Sequence, residues 1–279
     1  MSFDDKQASR SESVPFSLFH FQWGPGVDDV YLYTNAERPI QIGGDIYTSI
    51  PIKRGKIKRA GGLDRSTLNV EVPGSSEIAS LFKGQPPSQV VNLTIYKGEL
   101  DDPSKEVRVV WVGRVLGSTV KGQVATLRCE PVSTMMRRPG LRRHYQYGCP
   151  HVLYGSKCKA DKAAATRTTT VQSVNGAEIT LPGGWNGVTD QEKFVGGYAT
   201  WTNPSGQPER LSVVAATNAD VVILENKPRG LAAGDSIQVL LGCNHTLLDC
   251  RQLHNNALNY GGHPWIPTEN PVGIKNNFY

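Results

Sequence analysis

No apolar run in this chain approaches the ~20 residues that a membrane-spanning helix needs, so none is expected. The first residues, MSFDDKQASRSESVPFSLFHFQWGPG, mix charges with scattered aromatics and contain no apolar h-region or cleavage site. Synthesis in the cytoplasm, without an export signal of its own, is the expectation. Cysteine is scarce, with five in 279 residues. In a reducing compartment such thiols serve more often as metal ligands or redox groups than as structural disulfides. Signatures of catalysis are missing too. GGWNG and PGG are turn glycines with no Lys-Ser or Lys-Thr behind them, and no flavin or nicotinamide fingerprint is present. No Ser, His and Asp arrangement emerges. Asp28 with Asp29 reads as a solvated turn, and His263 as an exposed or packing histidine. The chain is not expected to be an enzyme.

Hydrophobic residues make up 38% and charged residues 20%, the balance of a core-forming protein and not of a disordered one. The length suits two domains and a third small lobe. With 29 Gly, 18 Pro and few long periodic runs, many short strands and turns are expected. The net charge of +5 is partly clustered, at Lys53, Arg54, Lys56, Lys58 and Arg59 and again at Arg137, Arg138, Arg142 and Arg143. Neither run sits in a nucleic-acid motif, so both read as solvated faces and no specific nucleic-acid binding is expected.

Alternation of period two dominates from about residue 15 to residue 131. TLNVEV sends Leu68, Val70 and Val72 to one face, VVNLTIY does the same with Val91, Leu93 and Ile95, and EVRVVWVG continues it. QVATLRC places Ala125, Leu127 and Cys129 on one face, which makes Cys129 a small core residue and not a ligand. SEIASLFKG, near residues 76 to 84, predicts a short helix stopped by Gly84. The expected fold is mainly β: an N-terminal β-barrel or sandwich (1–135), a first cysteine-pair segment (136–164), a smaller inserted β domain (165–241), and a second cysteine-pair helix with a C-terminal tail (242–279). The inserted domain follows from TTTVQSV, EITL, YATWT, ERLSVV, VVIL and DSIQVLL, separated by turns such as NPSGQ and AAGD. After Cys243 comes the clearest helical pattern. Thr246 and Asp249 resemble a capping box, and Leu247, Leu248, Arg251, Leu253, His254, Ala257 and Leu258 follow until Gly261, Gly262 and Pro264 end it.

Four of the five cysteines form two tight pairs that bracket the inserted domain. Cys149 and Cys158 have eight residues between them, and Cys243 and Cys250 have six. Domain termini often lie close together, so both pairs can meet at the root of the insertion and form a four-thiolate metal site. Cys243 is expected to precede the helix and fold back over its N-terminus, whose dipole favours thiolates. Zinc pairs are usually spaced by two to four residues, and longer loops suit a cluster held by four cysteines. Spacing leaves an iron–sulfur cluster modestly ahead of zinc, with disulfides third. His151 and His245 could join a mixed zinc site, although histidines beside ligands more often support them.

Together, GCPHVLYGSKC, the β insertion and GDSIQVLLGCNHTLLDCRQLHNNALNYGGHPWIP resemble the cysteine-bearing tail-tip (hub) proteins of long-tailed bacteriophages and gene transfer agents. These are related in role to the minor tail protein L of lambda-like phages. The resemblance covers about residues 140 to 270. It implies a 4Fe–4S cluster on Cys149, Cys158, Cys243 and Cys250, in a helix-containing iron–sulfur lobe. It also implies a structural virion protein at the tail tip, not a catalyst, joining the distal tail protein ring to the central hub or fibre protein as a homotrimer. The arginines before Cys149 would offset cluster charge, and Trp265 and Ile266 of HPWIP are expected to cover the lobe. The TENPVGIKNNFY tail has no counterpart in the family.

Overall fold

A computed structural model describes residues 3–9, 13–24, 26, 29–57, 67–100, 102–136, 144–217 and 220–267. The chain divides into two compact units, Met1–Pro139 and Gly140–Tyr279.

The first unit is built on nine strands. They are β1 (Pro15–Gln22), β2 (Val30–Thr34), β3 (Ile40–Ile42), β4 (Asp45–Ser49), β5 (Lys53–Arg54), β6 (Leu68–Pro73), β7 (Val91–Glu99), β8 (Val107–Lys121) and β9 (Val124–Pro131). They form one sheet in the order β3-β4-β2-β1-β7-β8-β9-β6-β5. The expected barrel or sandwich is thus a single nine-stranded sheet, and among the described residues no ladder joins β5 back to β3. All neighbours are antiparallel except β2 and β4, which run parallel through Tyr33–Thr48 and Thr34–Ser49.

Alternation places the core. Leu68, Val70 and Val72 of β6, Leu93 and Ile95 of β7, and Leu127 and Cys129 of β9 pack into one apolar cluster. Successive strand residues point to opposite faces, and β1 uses both: Phe19 and Phe21 enter this main cluster, while Phe16 and Leu18 join Tyr47 in a second one. Cys129 is fully buried, and its thiol is pushed up to about 12 because burial disfavours the charged form. Its surroundings are those of a core residue.

Two helices flank this sheet. In α1 (Phe3–Ala8), which the sequence pattern did not announce, Phe3 is buried and Arg108 lies 4.5 Å over its ring. Arg108 also holds Asp4 through two hydrogen bonds of 2.8 and 3.0 Å. The expected second helix is α2 (Glu77–Leu81), capped by the Ser76 hydroxyl, with Gly84 beyond its end at φ 88°.

In the second unit, β10 (Thr166–Thr170), β11 (Ser173–Asn175), β12 (Glu178–Thr180), β13 (Tyr198–Thr202), β14 (Pro208–Thr217), β15 (Val221–Leu224) and β16 (Ser236–Leu240) form a seven-stranded sheet. Its order is β10-β16-β13-β14-β15-β12-β11. Phe194, Trp201, Ile237 and Val239 lie in its core. The first strand, β10, pairs with the last, β16, from Thr166–Leu240 to Thr170–Ser236. This pairing brings the two ends of the sheet domain side by side. The chain leaving β16 and the chain entering β10 therefore share one end of the domain, and the cysteine segments continue from there.

Candidate functional site: a four-cysteine cavity

The two cysteine segments are anchored to the sheet domain before they meet each other. Tyr154 and Leu253 pack against its core. The Tyr154 hydroxyl donates to the Leu241 carbonyl at 2.6 Å, and its ring meets Tyr198 and His254 edge-on. His254 Nε2 donates to the Gly242 carbonyl at 2.8 Å. Gly242 permits a backbone crossing that no side chain would allow, since a Cβ there would sit 1.8 Å from the Val195 carbonyl oxygen.

The segments then bond directly. The Cys149 N–H donates to the His245 carbonyl at 2.8 Å, and the Tyr260 hydroxyl donates to the Tyr147 carbonyl at 2.8 Å. The His263 N–H donates to the Gln146 carbonyl at 2.9 Å. As a result Cys149, Cys158, Cys243 and Cys250 line one narrow cavity of about 10 Å³. Leu153, Thr246 and Asn256 complete much of the wall. All four thiols are free; Cys250 is buried and the others are half-buried. Among the described residues, no three His, Cys, Asp or Glu side chains are arranged to hold a single metal ion.

Three of the sulfurs receive N–H groups. The His245 N–H points to Cys243 Sγ at 3.3 Å, the Gly261 N–H to Cys149 Sγ at 3.4 Å, and the Asn256 side-chain amide to Cys158 Sγ at 3.8 Å. The Cys250 thiol instead donates to the Asn256 carbonyl at 3.1 Å. Burial, reinforced by the other cysteines, pushes Cys250 up to about 11. Cys243 is raised as well, chiefly by burial, with the His245 N–H pulling the other way. The expected thiolate stabilisation by the helix dipole is therefore outweighed by desolvation. The helix α3 (Leu247–Gln252) has six residues, and Cys250 lies inside it while Cys243 precedes it. Three of the four sulfurs thus have an N–H group aimed at them, a contact that stabilises negative charge on sulfur.

The backbone is strained around this cavity. Tyr154, Lys159, His245 and Asn255 all adopt positive φ, between 46° and 60°. Such conformations persist only where surrounding contacts impose them, and they cluster at functional sites.

Several expectations need correction here. The helical pattern does not run to Leu258: after Gln252 the chain turns through Asn255, so that the Asn256 N–H reaches the Cys250 carbonyl at 2.8 Å. Leu258, read as part of an apolar stripe, is fully exposed. Thr246 caps the helix as expected, but Asp249 sends its carboxylate to the Asn244 N–H at 3.1 Å. Gly261 and Gly262 are needed for close packing more than for stopping a helix. A Cβ on them would fall 2.5 Å from the His151 ring and 2.4 Å from the Tyr147 carbonyl oxygen. Trp265 does not cover the lobe; it is 86% exposed.

His151 and His245 do line the cavity, yet their Nδ1 atoms bond the Asn259 and Cys149 carbonyls. His263 is exposed and lies against Tyr145, ring centres 4.1 Å apart. Asp29 accepts the Gly26 N–H at 2.8 Å, a turn contact, while Asp28 lies outside the described residues. So do Lys58, Arg59, the four arginines before Cys149 and the C-terminal tail. Sequence reasoning missed Asn256 and Asn259. The available signal was the density of asparagine in HNNALNY, directly after a cysteine helix.

Residues 26–161 match a family model described as baseplate hub protein, N-terminal attachment domain. Residues 192–270 match one described as phage conserved hypothetical protein BR0599. No curated protein sequence matches the chain. Among solved structures, the chain is similar to one from a structure described as the virion of a native gene transfer agent (GTA) particle. The TM-score is 0.72 at 17% identity, over 99% of this chain and 97% of that one. At that identity the likeness speaks for the fold, which is shared end to end. Both cysteine segments overlap stretches that resemble bacteriophage proteins.

Proposed function

We propose that this chain is a structural, hub-type protein of the tail tip of a phage or gene transfer agent particle. The observation that carries this reading is the match of residues 26–161 to a hub attachment domain. The end-to-end fold likeness to a virion chain supports it. In this role the chain joins the distal tail ring to the central hub or fibre protein as a homotrimer, and its chemistry is that of assembly, not turnover. Particles purified from cells carrying a tagged gene should contain the protein at the tail tip by electron microscopy and mass spectrometry. Its absence from purified tails would reject the reading.

Within that role, Cys149, Cys158, Cys243 and Cys250 hold a 4Fe–4S cluster. The convergence of two distant segments on one thiol-lined cavity supports it. A bound cluster supplies metal–thiolate bonds that cross-link the two segments at the root of the sheet domain. The chain's own residues do the rest. Tyr154, Leu253 and His254 fix the segments to the sheet domain, and three N–H groups stabilise sulfur charge. Protein purified without oxygen should be brown and contain iron and sulfide. Colourless protein carrying zinc would move the assignment to a zinc-stabilised scaffold.

A further inference from the structure

We propose that Asn256 is the positioning residue of the sulfur site, joining the two cysteine segments and setting the electronic environment of Cys158. The proposal rests on the cluster reading above.

Asn256 is 8% exposed, and every polar group it has is used. Its side-chain amide donates to the Cys158 carbonyl at 2.5 Å and to the Cys158 sulfur at 3.8 Å. Its main-chain N–H donates to the Cys250 carbonyl at 2.8 Å, and its carbonyl accepts the Cys250 thiol at 3.1 Å. Its Oδ1 accepts the Asn259 side-chain amide at 2.6 Å. One residue thus touches a cysteine from each pair, through four separate bonds.

The Cys158 contact settles which way the amide faces. Because the Cys158 carbonyl only accepts, the NH₂ group must be the end turned toward it, which leaves Oδ1 to accept from Asn259 and be held there. Asn259 is itself tied back, its carbonyl accepting His151 Nδ1 at 3.1 Å. The positive φ of Asn255, directly before Asn256, and of Lys159, directly after Cys158, bend both chains toward this contact.

The residue type follows from the geometry. The position needs two donors and one acceptor in a plane, on a side chain of fixed short reach. Aspartate has the same shape but no donors, and glutamine is one methylene longer. A donor to a ligating sulfur withdraws negative charge from the metal group and favours its reduced, more electron-rich state. Removing that donor should therefore make the reduction potential more negative, and it should loosen the link between the segments.

The test compares wild-type protein with Asn256→Asp and Asn259→Ala after anaerobic reconstitution with iron and sulfide. Iron and sulfide per chain, visible absorption and midpoint potential are read on each. Asn256→Asp should load several-fold less iron, and its loaded fraction should titrate at a more negative potential. Asn259→Ala should load normally and shift the same way by less, because the amide loses its fixed orientation. Wild-type iron content and potential in Asn256→Asp would overturn the proposal while leaving the cluster reading intact. If Asn256→Asp does not accumulate as folded protein, Asn259→Ala decides alone, and an unchanged potential there overturns it. Wild-type protein that takes up no iron overturns the cluster reading and this proposal with it.

Discussion

Cys149 and His245 are bonded twice. The Cys149 N–H donates to the His245 carbonyl, and His245 Nδ1 lies 2.8 Å from the Cys149 carbonyl. A carbonyl only accepts, so His245 carries its proton on Nδ1. This reciprocal pair holds the first cysteine of one segment against the loop between Cys243 and α3 before any metal is considered. The cavity is thereby shaped by protein contacts, and the cysteines are its wall.

Serine at Cys149, Cys158, Cys243 or Cys250 should each reduce bound iron and visible absorbance. It should also loosen the cysteine segments while leaving the nine-stranded unit folded, because that unit has its own core. Cys129→Ser should keep the iron, yet its buried hydroxyl should cost the first unit about 1–3 kcal/mol. Iron analysis and chemical denaturation of the five variants separate the two effects. Equal iron loss from Cys129→Ser would sink the ligand assignment.

Gly242→Ala should destabilise the second unit by about 1–3 kcal/mol, since the new methyl group overlaps the Val195 carbonyl. The first unit should unfold at its usual denaturant concentration. Two unfolding transitions, only one of them shifted, would bear this out; no shift would mean the crossing relaxes easily.

Alkaline pH should weaken the metal-free fold. The unfolded Cys250 thiol has the ordinary value of 9.0, and the folded one is raised to about 11. Below pH 9 both states hold the proton and the contribution is complete. Between pH 9 and about 11 only the folded state holds it, so stability falls as pH rises. Cys129 acts with the same sign in the first unit, up to about 12. Thermal unfolding of Cys250→Ala protein should show a shallower decline over pH 9 to 11 than wild type. Identical slopes would assign the decline to other groups.

Trp265→Ala should change stability by no more than about 0.5 kcal/mol, because the side chain is exposed. Cluster lifetime in air should also be unaltered. A shortened lifetime would restore the covering role that the sequence suggested for this tryptophan.

The strands were legible wherever one face is buried. Leu68, Val70 and Val72 alternate with Asn69 and Glu71, and the structure buries the first set and exposes the second. Strand order was not legible, because pairings such as β1 with β7 depend on contacts far apart in sequence. The helix α1 escaped notice because it is held by one buried residue, Phe3, and by pairing with Arg108. The end of α3 was misread for a different reason. Leu253 to Leu258 carry helical spacing, but Asn255 and Asn256 divert the chain to serve Cys250 and Cys158. The four cysteines stood out through their pairing. Asn256 did not, since an asparagine after a helix ordinarily marks a turn.

The pairing of β10 with β16 also bears on the timing of biosynthesis. Cys149 and Cys158 leave the ribosome first, and the whole seven-stranded domain must be translated before Cys243 and Cys250 exist. At on the order of 5–20 residues per second, the first pair waits for several seconds without its partners. The last strand to be made, β16, closes against the first and delivers the second pair to the waiting one. On the proposed cluster reading, cofactor insertion would be deferred until the domain is complete, and a nascent chain halted before Cys243 should retain no iron.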